Sequence, residues 1–304
     1  MKLTVVLNRS AGSLAGRSPG EAVAEVTAAF REAGHSVDCT IVPGAEVAGA
    51  LERARDGAAD VVVVGGGDGT IVSAARILAD SGKALAVLPL GTMNLLARDL
   101  GIPFDIAEAA RALAAGRIEA IDMGEVNGHP FLNNSAIGLY PRMVREREQE
   151  RNRHGLGKWP AMLLAFGRII AHLPRLTVAI DLGDGQGPQV METPFLAVAN
   201  NRYDQGFGPI LRRTSLTRGT LAVYASRHRS RWRVLRLIAT LFGGDWAGDP
   251  ELQVTETTAL TVRSRRPILR VANDGELLLL PTPLTYRIRP GALKVLRPLL
   301  DRHG

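Results

Sequence analysis

The sequence predicts an α/β domain followed by a mainly-β domain, and three observations carry that reading. Over residues 1–121 strand-like and helix-like stretches alternate, an order that builds a mostly parallel sheet with helices on both faces. Over residues 122–290 short strand-like segments are separated by Gly, Pro, Asp and Asn, the spacing of antiparallel β structure. Between Val61 and Thr70, four consecutive valines stop at Gly65-Gly66-Gly67-Asp68-Gly69-Thr70 and a helical pattern follows.

Taken in order, Lys2 to Leu7 reads as a first strand. Gly20 to Ala33 reads as a helix, with Val23, Val26, Ala29 and Phe30 at helical spacing. Val37 to Val42 reads as a second strand, a helix spans Glu46 to Arg55, and Asp60 to Val64 forms the third strand. A helix from Thr70, a fourth strand over Ala84–Leu88, the turn Pro89-Leu90-Gly91-Thr92 and a helix from Met93 follow. Gly101-Ile102-Pro103 stops that helix, and Asp105 to Ala115 is the next. In the second half the expected strands are Gly124–Val126, Phe131–Ile137, Leu176–Asp181, Thr193–Ala199, Thr220–Ala225, Glu251–Val262, Ile268–Asn273, Glu276–Leu280 and Leu284–Arg289. Helical insertions are expected over Arg142–Leu173 and Arg231–Phe242, and the last stretch, 291–304, is expected to return to the first domain.

The bulk properties fit a globular protein with a full core: 304 residues, 46% hydrophobic and 22% charged. No apolar run approaches the ~20 residues that cross a bilayer. The first residues read as a strand rather than a signal-peptide core. The single cysteine, Cys39, excludes an internal disulfide and a cysteine-based zinc cluster, so a cytoplasmic location is the default. The net charge is +7, with arginines gathered at Arg212-Arg213, Arg227–Arg233 and Arg263–Arg266. Such patches suit polyphosphates or anionic headgroups, or are simply a solvated surface. Aromatics make up only 5% and do not interleave with the basic clusters, which argues against a nucleic-acid partner.

Strand, glycine turn and helix present backbone N–H groups to a phosphate. Gly66, Gly67 and Gly69 permit close approach, and Thr70 supplies a hydroxyl at the helix start. No Gly-Lys-Ser/Thr ending follows, so this is not a Walker loop. Asp68 is out of place for simple phosphate holding: its charge needs a metal ion or a reacting proton, which points to phosphoryl transfer. Pro89 to Asn94 forms a second turn at the same sheet edge, with Thr92 and Asn94 as polar groups facing the first loop. The bland alternative for both is ordinary helix capping.

These two turns together resemble the catalytic-domain signature of the diacylglycerol kinase and sphingosine kinase family, in particular its bacterial lipid kinases. Asn8-Arg9-Ser10-Ala11-Gly12 is similar to that family's first nucleotide loop, with Arg9 where proline is usual. Asn134-Ser135-Ala136-Ile137-Gly138 resembles the motif opening its second domain, and Asn273-Asp274-Gly275-Glu276 its late Asp-Gly-Glu motif. The resemblance implies a Rossmann-like nucleotide domain, an antiparallel β domain that takes the lipid, and an active site in the cleft between them. It implies ATP and Mg2+ as cofactors and phosphorylation of the hydroxyl of diacylglycerol or a related long-chain lipid alcohol. On matching positions it places Asn8, Ser10 and Gly12 by the nucleotide, with Thr40 after strand two. Gly66, Gly67, Asp68, Gly69, Thr70, Thr92 and Asn94 would cradle the phosphates. Asp68 would help place metal or the substrate hydroxyl, and Asp274 and Glu276 would lie across the cleft, with Glu276 as proton acceptor. Spacing alone leaves open which of the three carboxylates takes the proton.

Two departures stand out. Many bacterial members carry an aspartate that helps bind a structural magnesium where this chain has Thr217-Arg218-Gly219-Thr220-Leu221. Arg218 is the wrong partner for Mg2+, so that structural site is expected to be absent, with Arg218 conjectured to take over its charge. Leu95 replaces an aspartate common after the asparagine. The expected partners are a lipid substrate and a transiently contacted membrane surface, without nucleic acid, and a homodimer is left open. The apolar stretch Trp159–Leu173, with the charged run before it, would dock on a bilayer, shape a lipid pocket or pack on the β domain. The alternatives are a catalytically impaired nucleotide- or lipid-binding regulator and an NAD kinase, whose family shares Gly-Gly-Asp-Gly.

Overall fold

A computed structural model describes residues 1–12, 18–145, 173, 175–204, 212–243, 246 and 248–299. The apolar stretch Trp159–Leu173 lies, except for Leu173, outside the described residues. The chain divides into two compact units. The first comprises Met1–Met123, Thr214–Thr217 and Pro290–Gly304, and the second Gly124–Arg213 and Arg218–Arg289.

The first unit is built on β1 (Lys2–Asn8), β2 (Ser36–Val42), β3 (Val61–Gly66) and β4 (Ala84–Pro89), all parallel, in the order β2-β1-β3-β4. Lys294 and Val295, near the end of the last strand, add a further parallel pairing to β4. β3 and β4 are buried at every position, as the unbroken Val/Leu/Ala runs demand of strands covered on both faces. The helices α1 (Pro19–Glu32), α2 (Val47–Asp56), α3 (Asp68–Leu78), α4 (Leu95–Leu100) and α5 (Ile106–Ala114) follow the strands. α1 packs with α5, and α2 with α3. Local chemistry sets several ends: Ser18 caps α1, Asp105 caps α5 through the N–H groups of Ala107 and Glu108, and Gly101 closes α4 with a left-handed φ of 71°. The strand order reverses direction between β1 and β3. In open α/β sheets such a reversal is where ligands bind, beyond the C-terminal ends of the strands.

The second unit is a sandwich of two sheets. One has six strands in the order β12-β11-β10-β7-β14-β15, every neighbouring pair antiparallel. These are β7 (Asn134–Gly138), β10 (Phe195–Asn200), β11 (Leu221–Ser226), β12 (Leu252–Thr257), β14 (Ile268–Asn273) and β15 (Glu276–Pro281). The other sheet contains β8 (Leu176–Asp181), β9 (Gln189–Thr193), β13 (Ala259–Ser264) and the first residues of β16 (Leu284–Arg297). A hairpin of β5 (Arg117–Val126) and β6 (His129–Phe131) pairs with β16. Ile137, Leu196, Val198, Val223 and Val271 of one sheet share a core with Val178, Val262, Leu284 and Tyr286 of the other. Burial pushes the Tyr286 phenol up to about 12. A helix, α6 (Arg231–Gly243), follows β11.

Three expected strands prove to be two strands each. Phe131–Ile137 divides after Phe131 into β6 and β7, Thr193–Ala199 divides at Pro194 into β9 and β10, and Glu251–Val262 divides at Thr258 into β12 and β13. In all three cases the two pieces belong to different sheets. A threonine side chain makes the last two corners: Thr193 Oγ1 accepts the Phe195 N–H at 3.2 Å, and Thr257 Oγ1 that of Ala259 at 3.4 Å. The residues on either side of these corners are β-prone, so periodicity ran them together.

Candidate active site

At the end of β3 the glycines are demanded by packing. A Cβ on Gly65 would lie 2.5 Å from Leu7, and one on Gly66 2.5 Å from the Thr70 side chain. A Cβ on Gly91 would lie 2.6 Å from the Gly67 Cα, so the turns after β3 and β4 pack backbone against backbone. Gly67 precedes α3 in an extended conformation, without a side-chain cap, and the helix's own hydrogen bonds begin with Ile71 N–H to Gly67 O at 3.1 Å. The N–H groups of Asp68, Gly69 and Thr70 are therefore the unmatched first-turn donors of an 11-residue helix. A Cβ at Gly69 would point into open space.

Side chains tie this turn to its neighbours. Asn8, at the end of β1, donates Nδ2–H to Thr70 Oγ1 at 3.0 Å, and its Oδ1 accepts the Ser10 N–H at 2.9 Å. That bridge spans the β1–β3 reversal. Asn94 takes a left-handed φ of 50° and closes the second turn twice: its Oδ1 accepts from Gly91 N–H and its Nδ2–H donates to Gly91 O, both at 2.9 Å. Thr92 is exposed on the same turn.

Asp68 is engaged by backbone. Its Oδ2 accepts the N–H of Asn94 at 3.0 Å and its Oδ1 that of Leu95 at 2.6 Å, so a carboxylate from one turn caps the helix that starts in the next. Each oxygen retains further acceptor capacity. Asn8, Ser10, Gly66, Gly67, Asp68, Thr70, Gly91 and Asn94 thus form one connected group. Gly12 is exposed, and a Cβ there would meet nothing within 4 Å. Thr40, expected after strand two, lies inside β2 opposite Val6. It lines a cavity of about 470 Å³ along β1 and β2 with Lys2, Ser36, Asp38 and Arg53, away from this group. The residue that stands beside Asn8 and Ser10 is Gly44, whose Cβ would lie 3.5 Å from Ser10 Oγ. Pro43-Gly44 directly after an apolar strand was the signal that could have found it. Cys39 is a packing residue: burial and the adjacent Asp38 push its thiol up to about 11.

In the second unit, Asn273-Asp274-Gly275-Glu276 is a two-residue hairpin turn between β14 and β15. Both central residues have positive φ, 52° for Asp274 and 85° for Gly275, as a type I′ turn requires. The Asp274 carboxylate accepts three backbone N–H groups: Leu132 at 2.7 Å, Asn133 at 2.7 Å and Asn134 at 3.1 Å. Asp274 N–H donates back to Asn134 O at 2.8 Å. The carbonyl of Leu132 is held by Asn200 Nδ2–H at 3.0 Å and by Arg213 at 2.8 Å. Arg213 also donates to Asn200 O at 2.9 Å and Asn133 Oδ1 at 3.0 Å. Glu276 begins β15 as an exposed residue.

Arg213 is a correction. Read as one of the surface arginines, it is 2% exposed and gathers carbonyl oxygens inside the unit. Arg218, conjectured to take over the charge of the absent structural magnesium, is exposed, and its backbone N–H donates to Asn201 Oδ1 at 3.0 Å. A buried arginine and a surface one have the same letter, and only the contacts separate them.

Among the described residues no group of three or more His, Cys, Asp or Glu could hold a metal ion. Among the same residues no helix is long and apolar enough to cross a membrane.

An α/β unit with bare helix amides at its strand-order reversal is carried on one chain with a β sandwich. Comparison with known proteins gives the family. The profile of the diacylglycerol kinase catalytic domain matches residues 2–126. That of the YegS C-terminal NAD kinase beta sandwich-like domain matches residues 156–297. A diacylglycerol kinase of Mycobacterium tuberculosis is 31% identical over 252 residues, covering 81% of this chain and 78% of the relative. A probable lipid kinase YegS-like protein of Pseudomonas aeruginosa is 30% identical over 299 residues, covering 94% and 93%. A solved diacylglycerol kinase from Bacillus anthracis matches with a TM-score of 0.70 at 19% identity, over 97% of this chain and 96% of its own, a likeness of fold. The chain belongs to the diacylglycerol kinase family and is a lipid kinase of that type.

Proposed function

We propose that this lipid kinase uses ATP and Mg2+ to phosphorylate the hydroxyl of diacylglycerol or a related long-chain lipid alcohol at a membrane surface. The observation that carries the reading is the glycine cradle, where three first-turn amides of α3 stand beside the Asn8–Thr70 bridge in a kinase-family chain. Phosphoryl transfer depends mostly on positioning and charge neutralisation, which bare amides and a helix N-terminus supply. Asn8, Ser10, Thr70 and Thr92 would hold the nucleotide. Asp68, fixed by two amides and still able to accept, would hold the metal, which when bound would neutralise charge on the transferring phosphate. The lipid oxygen forms the new bond to the γ-phosphorus as the bond to the β–γ bridging oxygen breaks.

Glu276 takes the hydroxyl proton in this scheme. Asp274 already accepts three amides and Asp68 two, so both carboxylates are occupied in fixing backbone. Glu276 is the exposed member of the three. Diacylglycerol is the acceptor in the name of the mycobacterial relative, which supports that lipid first.

Incubation with labelled ATP, Mg2+ and a panel of diacylglycerols, long-chain alcohols and NAD tests the proposal. Label is expected in a lipid and not in NAD. ATP binding without turnover on any lipid would favour a regulator instead, a reading that draws on the heavy backbone use of Asp68 and Asp274.

A further inference from the structure

The second unit has a cavity of about 260 Å³ where β7 ends and β14 begins, at the opposite end of β14 from the Asp274 turn. Four arginines line it: Arg142 after β7, Arg175 before β8, Arg266 in the β13–β14 loop, and Arg270 within β14. Leucine side chains and Gly138 complete the lining. Gly138 has a φ of 91°, and a Cβ there would collide with the Pro194 carbonyl oxygen, so the backbone keeps this corner clear.

Arginines from three separate stretches of chain line this one cavity although like charges repel. Elsewhere in the unit arginines meet carboxylates: Arg202 with Glu256, Arg233 with Glu251, and both Arg287 and Arg289 with Glu125. In the cavity, Arg175, Arg266 and Arg270 have no ion pair and no side-chain hydrogen bond among the described residues. The planar fork of arginine matches the oxygens of a phosphate, and several forks around one anion turn mutual repulsion into shared attraction. Next to these residues in the chain, Tyr140 and Ile268 are 42% and 56% exposed, which places apolar groups beside the cationic ones.

We infer that this cavity binds a phosphate ester, either the headgroup of an anionic phospholipid or a soluble phosphate compound. The site lies in the unit that lacks the glycine cradle and requires no turnover, so it stands or falls separately from the kinase reaction.

The test uses the full chain and three probes: inorganic phosphate, glycerol 3-phosphate, and phosphatidylcholine vesicles with and without phosphatidate. Titration calorimetry reads the first two and co-sedimentation the third. The double variant Arg175→Gln, Arg266→Gln alters two exposed side chains, and Arg270→Gln provides a second, separate variant. Removal of two charge-assisted contacts weakens binding at least about tenfold, with circular dichroism unchanged and partial recovery in Arg175→Lys, Arg266→Lys. A loss confined to phosphatidate vesicles identifies the headgroup as the source; a loss confined to glycerol 3-phosphate or inorganic phosphate identifies a soluble one. Equal binding of every probe by wild type and both glutamine variants would overturn the inference, as would no binding by the wild type. Phosphate held only in the glycine cradle gives the first of these results.

Discussion

Asp68 and Asp274 sit in turns that read alike, an aspartate next to glycine at the end of an apolar strand, and in both the carboxylate accepts backbone amides from a distant segment. The turns nevertheless offer different things to a ligand. After β3 the chain enters a helix, so the amides of Asp68, Gly69 and Thr70 have no partner within it and face outward. After β14 the chain turns back into a hairpin, so Asn273 and Glu276 pair across the turn and the site's electrostatics rest on carboxylates. The first turn leaves helix amides without an intrahelical partner, where the proposed function places an anion. The other fixes the segment 132–134.

This contrast can be broken experimentally, and the largest effect is expected at Glu276. Glu276→Gln is expected to lower turnover of labelled ATP onto lipid by about 10²–10⁴-fold, the usual contribution of a positioned general base. Its unfolding midpoint should stay within about 0.5 kcal/mol of wild type, as for an exposed side chain. Full activity in this variant would remove Glu276 from the mechanism.

Asp274→Ala comes next. It leaves three amides without their acceptor and is expected to cost about 3 kcal/mol by urea denaturation, because hydrogen bonds to charged groups count for more than neutral ones. Asp68→Ala orphans two amides, and we expect a loss of about 2 kcal/mol. Asp68→Asn, which keeps one acceptor oxygen, should lie between it and wild type. If Asp68→Ala abolished activity with no change in stability, its role would be chemical alone and the parallel with Asp274 would fail.

The smallest effect is expected at Gly91→Ala, where the new Cβ must push against the Gly67 Cα at 2.6 Å. Overpacking of this kind costs about 1–3 kcal/mol. Because the strain falls on the cradle, the KM for ATP is expected to rise more than kcat falls. An unchanged KM would show that the two turns yield without disturbing the nucleotide.

Much of the first unit was legible because its signals are local. Four valines ending in glycine announce a buried strand and a tight turn whatever the rest of the chain does, and Asp105 before an amphipathic run announces a helix start. The Asn-Asp-Gly-Glu hairpin was legible for the same reason. Three things were not. The sheet switches at Pro194 and Thr258 fall within β-prone stretches whose periodicity continues across the corner. Thr40 fell within the expected second strand, but the partner it has there, Val6, came only from the register. Arg213 was indistinguishable from the surface arginines around it.

The sequence by itself determined an alternating α/β half, a β-rich half and the glycine-bounded turns, because period, turn chemistry and steric permission act over a few residues. Tertiary structure alone decided which carboxylates are occupied and which cation is buried. Asp68 meets amides 26 and 27 residues away, and Asp274 meets amides 140 to 142 residues away. Arg213 reaches Leu132 and Asn133 from 81 and 80 residues off. A hydrogen bond responds to distance in space, and contacts of that separation leave no trace in local spacing.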